Sequence, residues 1–453
     1  MASSRPLPVE IVENIISFLC ISYPSTTTEP LNGADQSFLT HSSIVQLLQL
    51  RLLARSWAAA IPQFVYGSLS LATPNFNRYV VNMWMNCLNV SNLTNLRRLC
   101  LSEVLYIPAS KATGYHMALS DESSDQFEYE YSRWERNCIF ILDAADIVSL
   151  CGSRLVHLKL VFARSVGFSD SMVVAIKRIR NLKTFSIEGT MIGGIVNDSK
   201  SLSAVLQNSP SLESLSLRLA ALRRLNLDPD FLPNLRHLWI KCHRYNLDAY
   251  IPTGRPEQSR MLLMALRNTL EGLTVDTIPD DLPRRLGIEA FPKLRIVRCK
   301  YINTLRDHPV WFEWSLFHTI EVLIVNYCSS RAYWEDVLLT PGGPHLKEAN
   351  KLKHFIFIIA SDEPIEDHEL TEVFKTYGIQ CHFRSGITHT EVLCRQEKWQ
   401  TIVRLLTWSK IFSIEAIPEV HNKNVRKNVE LTSDEVRSTN YTFKVRRFKV
   451  EDY

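Results

Sequence analysis

A six-residue pattern, L-x-x-L-x-L with other apolar residues allowed at the leucine positions, constrains the fold of this chain more than any other feature. One copy, 235–240, has the sequence Leu-Arg-His-Leu-Trp-Ile. Successive copies lie 23 to 35 residues apart, and a repeat of this length predicts a stack of similar structural units. The copies begin at Leu155, Leu182, Leu212, Leu235, Leu270, Leu294, Ile320 and Leu352, with an outlying copy at Leu96.

The spacing inside the pattern assigns each position to a face. Positions 4 and 6 are two residues apart, so they lie on one face of a strand, and position 1 packs in the turn before it. Positions 2, 3 and 5 point away from that core. In the copy that begins at Leu212, we expect Leu215 and Leu217 to be buried and Ser214 and Ser216 to face outward. Stretches such as 261–270 have leucines at helical spacing and predict helices between the strands.

Over residues 90–385 the pattern resembles the leucine-rich repeat, which implies an irregular solenoid of parallel strands and helices. An ordinary α/β domain with several buried strands remains the alternative. An acidic insert at 107–136 interrupts the repeats, a C-terminal cap is expected at 386–420, and residues 421–453 form a polar tail. The predicted fold class is therefore α/β, with a small helical module before the solenoid.

Two apolar stripes at helical spacing precede the repeats. Pro8 suits the first turn of a helix in which Ile11, Ile15 and Leu19 share one side. Ile44, Leu48 and Leu52 form a second stripe, which leads into the segment Leu-Leu-Ala-Arg-Ser-Trp at 52–57. Two short helices with stripes this wide need a partner to cover them.

Residues 5–71 resemble an F-box that carries a Ser/Thr/Pro-rich insert at 22–42. The matching residues are Leu7, Pro8, Glu10, Ile11, Ile15 and Leu19, then Leu50, Leu52, Leu53, Arg55 and Trp57, and finally Tyr66, Leu69 and Leu71 in the strand that follows. The resemblance implies binding to a Skp-type adaptor, which links the chain to the cullin scaffold of an SCF ubiquitin ligase. The alternative is a helical cap that seals the first repeat.

The resemblance also implies which residues contact the adaptor. They are Leu7, Pro8, Ile11, Ile15, Leu19, Leu48, Leu52, Leu53 and Trp57. The repeats would then select a protein substrate for ubiquitin transfer, and the chain itself would perform no chemistry. A stand-alone repeat scaffold with no link to ubiquitin remains the alternative function.

Positions 2, 3 and 5 of several copies carry large or charged side chains, which we expect to stack into a substrate-binding column on the outer face of the sheet. Their excess of Lys, Arg and His predicts an acidic or phosphorylated partner segment, and the acidic insert could occupy the same column. A solvated face is the alternative. The residues are His157, Lys159, Arg236, His237, Trp239, Arg295, Arg298 and His354.

Composition and motifs exclude several other classes. The net charge of +4 gives no strong case for nucleic acid or membrane, and no apolar run approaches the roughly 20 residues of a membrane span. The ten cysteines form no C-x-x-C pair, which favours a reducing compartment, cytoplasmic or nuclear. The sequence has no phosphate loop, H-E-x-x-H or G-x-S-x-G motif. We therefore expect a protein that is not an enzyme and needs no metal or cofactor.

Overall fold

The computed structural model describes residues 7–22, 41–71, 96–106, 138–165, 167–191, 197–218, 232–241, 262–275, 291–299, 318–327, 334, 349–359 and 367–385. The chain divides into two compact units, 1–396 and 397–453, and every described residue belongs to the first. The predicted cap at 386–420, the tail at 421–453, the acidic insert at 107–136 and most of the insert at 22–42 therefore lie outside the described residues.

Twelve strands in the described part of the chain form one parallel sheet, which confirms the predicted α/β class. Eleven of them follow the order of the sequence from β1 to β12, and the short β3 pairs with β2 beside this path. The strands are β1 Ser68–Leu71, β2 Arg98–Tyr106, β3 Ile139–Phe140, β4 His157–Ser165, β5 Thr184–Met191, β6 Ser214–Arg218, β7 His237–Lys241, β8 Gly272–Val275, β9 Ile296–Cys299, β10 Val322–Asn326, β11 His354–Ile359 and β12 Gln380–Ser385.

Each copy of the six-residue pattern forms a strand that begins at its third position, and neighbouring copies pair in register. Leu215 lies opposite Leu238, which lies opposite Leu273, so position 4 of each copy meets position 4 of the next. Backbone hydrogen bonds at position 2 also connect neighbouring copies. The carbonyl oxygen of Glu213 accepts from the N–H groups of Arg236 and His237 at 2.9 and 3.0 Å. The repeat seen in the sequence is therefore a repeat of hydrogen bonding.

The face of the sheet formed by positions 4 and 6, called here the leucine face, carries the main core. Leu212, Leu215 and Leu217 are fully buried, as the pattern predicts. Residues from the connecting helices join the same core, including Ala144 and Met172. These helices are α4 Ile141–Cys151, α5 Asp170–Lys177, α6 Asn197–Gln207 and α7 His368–Thr376.

The N-terminal module consists of α1 Val9–Ser22, α2 His41–Leu50 and α3 Arg55–Tyr66. Its core is separate from that of the sheet and is formed by Val12, Ile16, Leu47, Ala60, Ile61 and Val65. Strand β1 follows α3 directly and pairs with β2. The carbonyl oxygen of Gly67 accepts from Arg97 and Arg98 N–H at 2.9 and 3.0 Å, the bonding seen between successive repeats. The strand predicted to end the module is thus also the first strand of the sheet.

Two strands, β3 and β12, were not predicted from the pattern. Strand β12 has Cys381 opposite Phe355, but Gly378 stands where the first leucine of the pattern would be. Gly378 has a φ of 74° and ends α7, with its N–H donating to the carbonyl oxygen of Lys375 at 2.9 Å. A positive φ favours glycine, so the end of α7 has Gly378 at the position where the pattern requires a leucine. The pattern was therefore incomplete, and β12 was not predicted.

Candidate docking surface

Helix α1 has a buried apolar side and an exposed one. Val12 and Ile16 are fully buried in the core of the module. Leu7, Ile11 and Ile15 are 48, 46 and 37 % exposed and recur every four residues, so they form a second apolar stripe, called here the α1 patch. This helix therefore keeps apolar side chains in solvent that its own core does not need.

The connection between α2 and α3 exposes two leucines, called here the loop patch. Leu52 is 88 % exposed and Leu53 is 63 % exposed. Their backbone is held in consecutive turns, because Leu52 N–H donates to Gln49 and Leu53 N–H donates to Leu50, both at 3.1 Å. The exposure of these leucines is therefore set by a hydrogen-bonded turn.

The other predicted adaptor-contact residues are placed as follows. Pro8 is exposed, and its carbonyl oxygen accepts from Ile11 N–H at 3.2 Å, which starts α1. Leu48 and Trp57 are half-buried against the module core. The side chain of Leu19 lies outside the described residues. The exposed part of the predicted set is thus the α1 patch, Pro8 and the loop patch.

The predicted substrate-binding residues do not form one column, because the register separates them into three rows. The first row is position 2, at the N-terminal edge of the sheet, with Arg236 and Arg295. The second is position 3, with His157, His237 and His354, and the third is position 5, with Lys159, Trp239 and Arg298. The last two rows share the face opposite the leucine face, called here the second face.

Position 2 carries alternating positive and negative side chains over seven consecutive copies, a regularity that was not predicted. Nε of Arg236 lies 3.7 Å from Oε1 of Glu271, and Nη2 of Arg295 lies 2.9 Å from Oε1 of Glu321. In-register strands are about 4.8 Å apart, so opposite charges at this position meet directly. These two arginines are thus engaged with neighbouring strands. The row is Lys183, Glu213, Arg236, Glu271, Arg295, Glu321 and Lys353.

The second face is buried over most of its width, so the expected exposure is wrong for half of the predicted residues. Trp239 is 1 % exposed and Arg298 2 % exposed. His157, Lys159, Ser214 and Ser216 are buried as well. Alternation along a strand gives the face of a residue, but whether that face meets solvent depends on the rest of the fold.

A charged cluster stands on this buried face. The Nζ atom of Lys159 lies 3.1 Å from Oε1 of Glu188, and the Lys241 ammonium contacts the same oxygen. Lys241 also lies 3.7 Å from the centre of the Trp239 ring, a cation–π contact. Burial, followed by the charges of Arg98 and Lys159, lowers the pKa of His157 to about 3, so this histidine is neutral.

The last two strands keep part of the second face accessible. His354 and His382 are half-buried on β11 and β12, with Nδ1 of His354 3.4 Å from Nε2 of His382. Arg384, two residues beyond His382, is also half-buried. His382 and Arg384 were missed because β12 lacks the full pattern, although the alternation Gln-Cys-His-Phe-Arg at 380–384 was a usable signal.

Other kinds of site find no support in the described part of the chain. Its His, Cys, Asp and Glu side chains form no group of three or more that could hold a metal ion. None of the helices described is both long and apolar enough to cross a membrane. Comparison with models of known protein families and with curated proteins finds no match to this chain.

Proposed function

We propose that this chain is a non-catalytic substrate-recognition adaptor of a cullin-RING ubiquitin ligase of the SCF type. The N-terminal module docks a Skp-type adaptor, and the sheet and its helices form a leucine-rich-repeat solenoid that binds a protein substrate. The observation that carries the proposal is a helical module that has its own core and yet leaves Leu7, Leu52 and Leu53 exposed.

The exposure of Leu52 and Leu53 is what a docking surface requires. Burying a leucine side chain is worth about 1.5–3 kcal/mol, so a turn that holds two of them in solvent forgoes that stabilisation. The hydrogen bonds of the turn fix the leucines before a partner arrives, which lowers the entropic cost of binding. The α1 patch adds further apolar area on the same module.

The alternative of a cap is less well supported by the packing. A cap would place its apolar side chains against the first strands of the sheet. Here Val12, Ile16 and Leu47 form a core that is distinct from the core of the sheet. The module is joined to the sheet mainly through β1, as expected for a docking unit placed at the end of a repeat array.

The repeat assignment rests on regularity. Nine copies of the pattern form parallel strands in chain order, and successive copies are hydrogen-bonded at the same positions. The first apolar residue of every copy is buried. A stack of this kind offers a long surface to another protein, which is the function expected of the substrate-binding part.

The test is capture of a purified Skp-type adaptor by the full chain and by a variant with Leu52→Ala and Leu53→Ala. Loss of two leucine side chains that the adaptor would bury should weaken binding about a hundredfold or more. The matched control changes Leu142 and Leu150 of α4 to Ala, since these leucines are 61 and 42 % exposed but lie outside the module. The control should bind like the native chain.

A second variant tests the α1 patch, with Leu7→Ala and Ile11→Ala made together. Its circular dichroism spectrum should match that of the native chain, because both side chains are exposed. Adaptor capture that is equal for the native chain, both module variants and the control contradicts the proposal and favours a stand-alone repeat scaffold.

A further inference from the structure

The N-terminal edge of the sheet is strongly basic at its first strands. Arg97 is exposed in the turn that enters β2, Arg178 and Arg180 are exposed in the turn that enters β5, and Lys177 is exposed at the end of α5. These four residues are called here the basic edge. The described segments that form it, 96–98, 149–157 and 177–184, contain no aspartate or glutamate.

Backbone hydrogen bonds place the turns of the basic edge side by side. The carbonyl oxygen of Arg97 accepts from the N–H groups of Val156 and His157 at 2.8 and 3.0 Å, and that of Val156 accepts from Lys183 N–H at 2.8 Å. The side chain of Arg97 reaches towards β4, where its Nη1 atom donates to the carbonyl oxygen of Arg154 at 3.4 Å. The turns entering β2, β4 and β5 are therefore consecutive and lie within two strand spacings, about 10 Å.

The fold itself explains only part of this charge. Further along the same edge, every cation of position 2 from Lys183 to Lys353 pairs with a neighbouring glutamate. In the part of the chain that the structure describes, no member of the basic edge has such a partner. The dipole of α5 favours Lys177 and Arg178 at its C-terminal end, but Arg97 and Arg180 have no comparable role. Exposed cations this close repel one another, and a bound anion would relieve the repulsion.

An exposed apolar side chain stands beside the basic edge. Leu150, in the last turn of α4, is 42 % exposed. The end of α4 contacts the end of α5, because a methyl group at Gly152 would lie 3.5 Å from Cγ1 of Ile179. Ile179 is flanked in the sequence by the two arginines of the β5 turn, so Leu150 lies close to them. The exposed Asp146 is one helical turn back from Leu150 and thus further from this edge.

We propose that an acidic segment of the protein substrate binds to the basic edge, with an apolar residue of that segment against Leu150; this rests on the proposed function, because it names the chemistry of the substrate. Guanidinium groups bind carboxylates through two parallel hydrogen bonds, and arginine clusters are a common means of binding acidic motifs. A site about 10 Å long with an apolar side suits a few peptide residues. A nucleic-acid strand gains its affinity from a longer run of phosphate contacts.

The experiment measures binding of a fluorescein-labelled octapeptide, with six glutamates around two central leucines, to the full chain by fluorescence anisotropy. The comparison probes are the same peptide with glutamine in place of glutamate and a short single-stranded oligonucleotide. The glutamate peptide should bind at least about tenfold more tightly than the glutamine peptide. Raising the ionic strength from about 0.1 M to about 1 M should remove most of this difference, because salt screens exposed charges.

Matched double variants locate the site. Arg178→Gln with Arg180→Gln should weaken binding of the glutamate peptide about tenfold or more, through loss of charge-assisted hydrogen bonds. The control is Lys293→Gln with Lys351→Gln, which removes the same charge from exposed residues in the turns entering β9 and β11. These turns are at least four strand spacings from β5, about 19 Å, so the control should leave the affinity unchanged.

A further variant tests the apolar contact. Leu150→Ala should weaken binding of the glutamate peptide about fivefold, since less than half of this side chain remains to be buried. Circular dichroism should show the native spectrum for every variant, because the changed side chains are partly or fully exposed.

Any of five results would overturn the inference: no binding of the glutamate peptide, equal binding of the glutamine peptide, equal or tighter binding of the oligonucleotide, equal weakening by the two double variants, or an unchanged affinity of Leu150→Ala. Failure of the proposed function is a separate result, because adaptor capture is measured on the N-terminal module and needs no peptide. Peptide binding without adaptor capture would leave a scaffold that recognises acidic segments.

Discussion

Two buried hydroxyl groups on the second face lead us to predict a substitution that stabilises the protein, whereas most substitutions destabilise. Ser186 and Ser216 lie opposite each other on β5 and β6 and are 0 and 1 % exposed. In the part of the chain that the structure describes, neither hydroxyl has a hydrogen-bond partner. A buried hydroxyl without a partner costs about 1–3 kcal/mol, so Ser216→Ala should stabilise the protein by an amount in that range.

Ser209 provides the matched control, because it is equally buried but satisfied. Its hydroxyl donates to the carbonyl oxygen of Val205 at 3.0 Å, so Ser209→Ala should destabilise by about 1 kcal/mol. The assay is urea unfolding followed by circular dichroism, with the change taken from the midpoint at constant m-value. If Ser216→Ala lowers the midpoint as Ser209→Ala does, its hydroxyl is hydrogen-bonded, for example to a buried water, and the reasoning is refuted.

Three further predictions concern the core, the backbone and pH. Leu217→Asp should prevent folding, seen as insoluble expression, since it places an unpaired charge in the leucine face; soluble, cooperatively unfolding protein would contradict this. Gly189→Ala should lower the free energy of unfolding in urea by several kcal/mol more than Gly378→Ala does. Both glycines have a positive φ, but a methyl group at 189 would overlap the backbone of Phe162, whereas one at 378 meets open space. The folded pKa of His157 is about 3 and the unfolded value about 6.5, so the unfolded chain binds more protons at this residue between these values. The contribution of His157 to stability should therefore be constant above pH 6.5 and fall by up to about 1.4 kcal/mol per pH unit below it; unfolding midpoints that do not change between pH 7 and 4.5 would show that this histidine protonates in the folded state.

Local patterns predicted the strands because each strand depends on a few nearby side chains. A leucine at positions 1, 4 and 6 buries one face whatever else the chain does, so Leu212, Leu215 and Leu217 could be placed without the structure. The alternating charges at position 2, such as Arg236 and Glu271, were also present in the sequence. Their pairing required the knowledge that the copies stack in register, because these residues are far apart in the chain.

The exposed apolar side chains of the N-terminal module were predicted in part. The resemblance to the F-box identified Leu52 and Leu53, but the sequence could not separate exposed from buried members of the apolar stripes, since both kinds have the same spacing. Ile11 and Val12 are adjacent in the sequence, and the packing of α1 against α3 exposes the first and buries the second. The prediction of one exposed substrate column was wrong because residues at positions 2, 3 and 5 of the pattern lie in three separate rows, and half of the predicted residues are buried.

The sequence alone determined that this chain forms a parallel sheet with one leucine-rich face, since the period of two within each copy and the repeat of 23 to 35 residues allow few other arrangements. Only the tertiary structure decided which parts of the other face meet solvent. Exposure depends on contacts between segments distant in the chain, so Trp239 is buried while His382 remains partly accessible, although both stand at position 5 of their strands. The physical reason is that side-chain direction is a local property of the backbone, whereas burial is a property of everything packed around it.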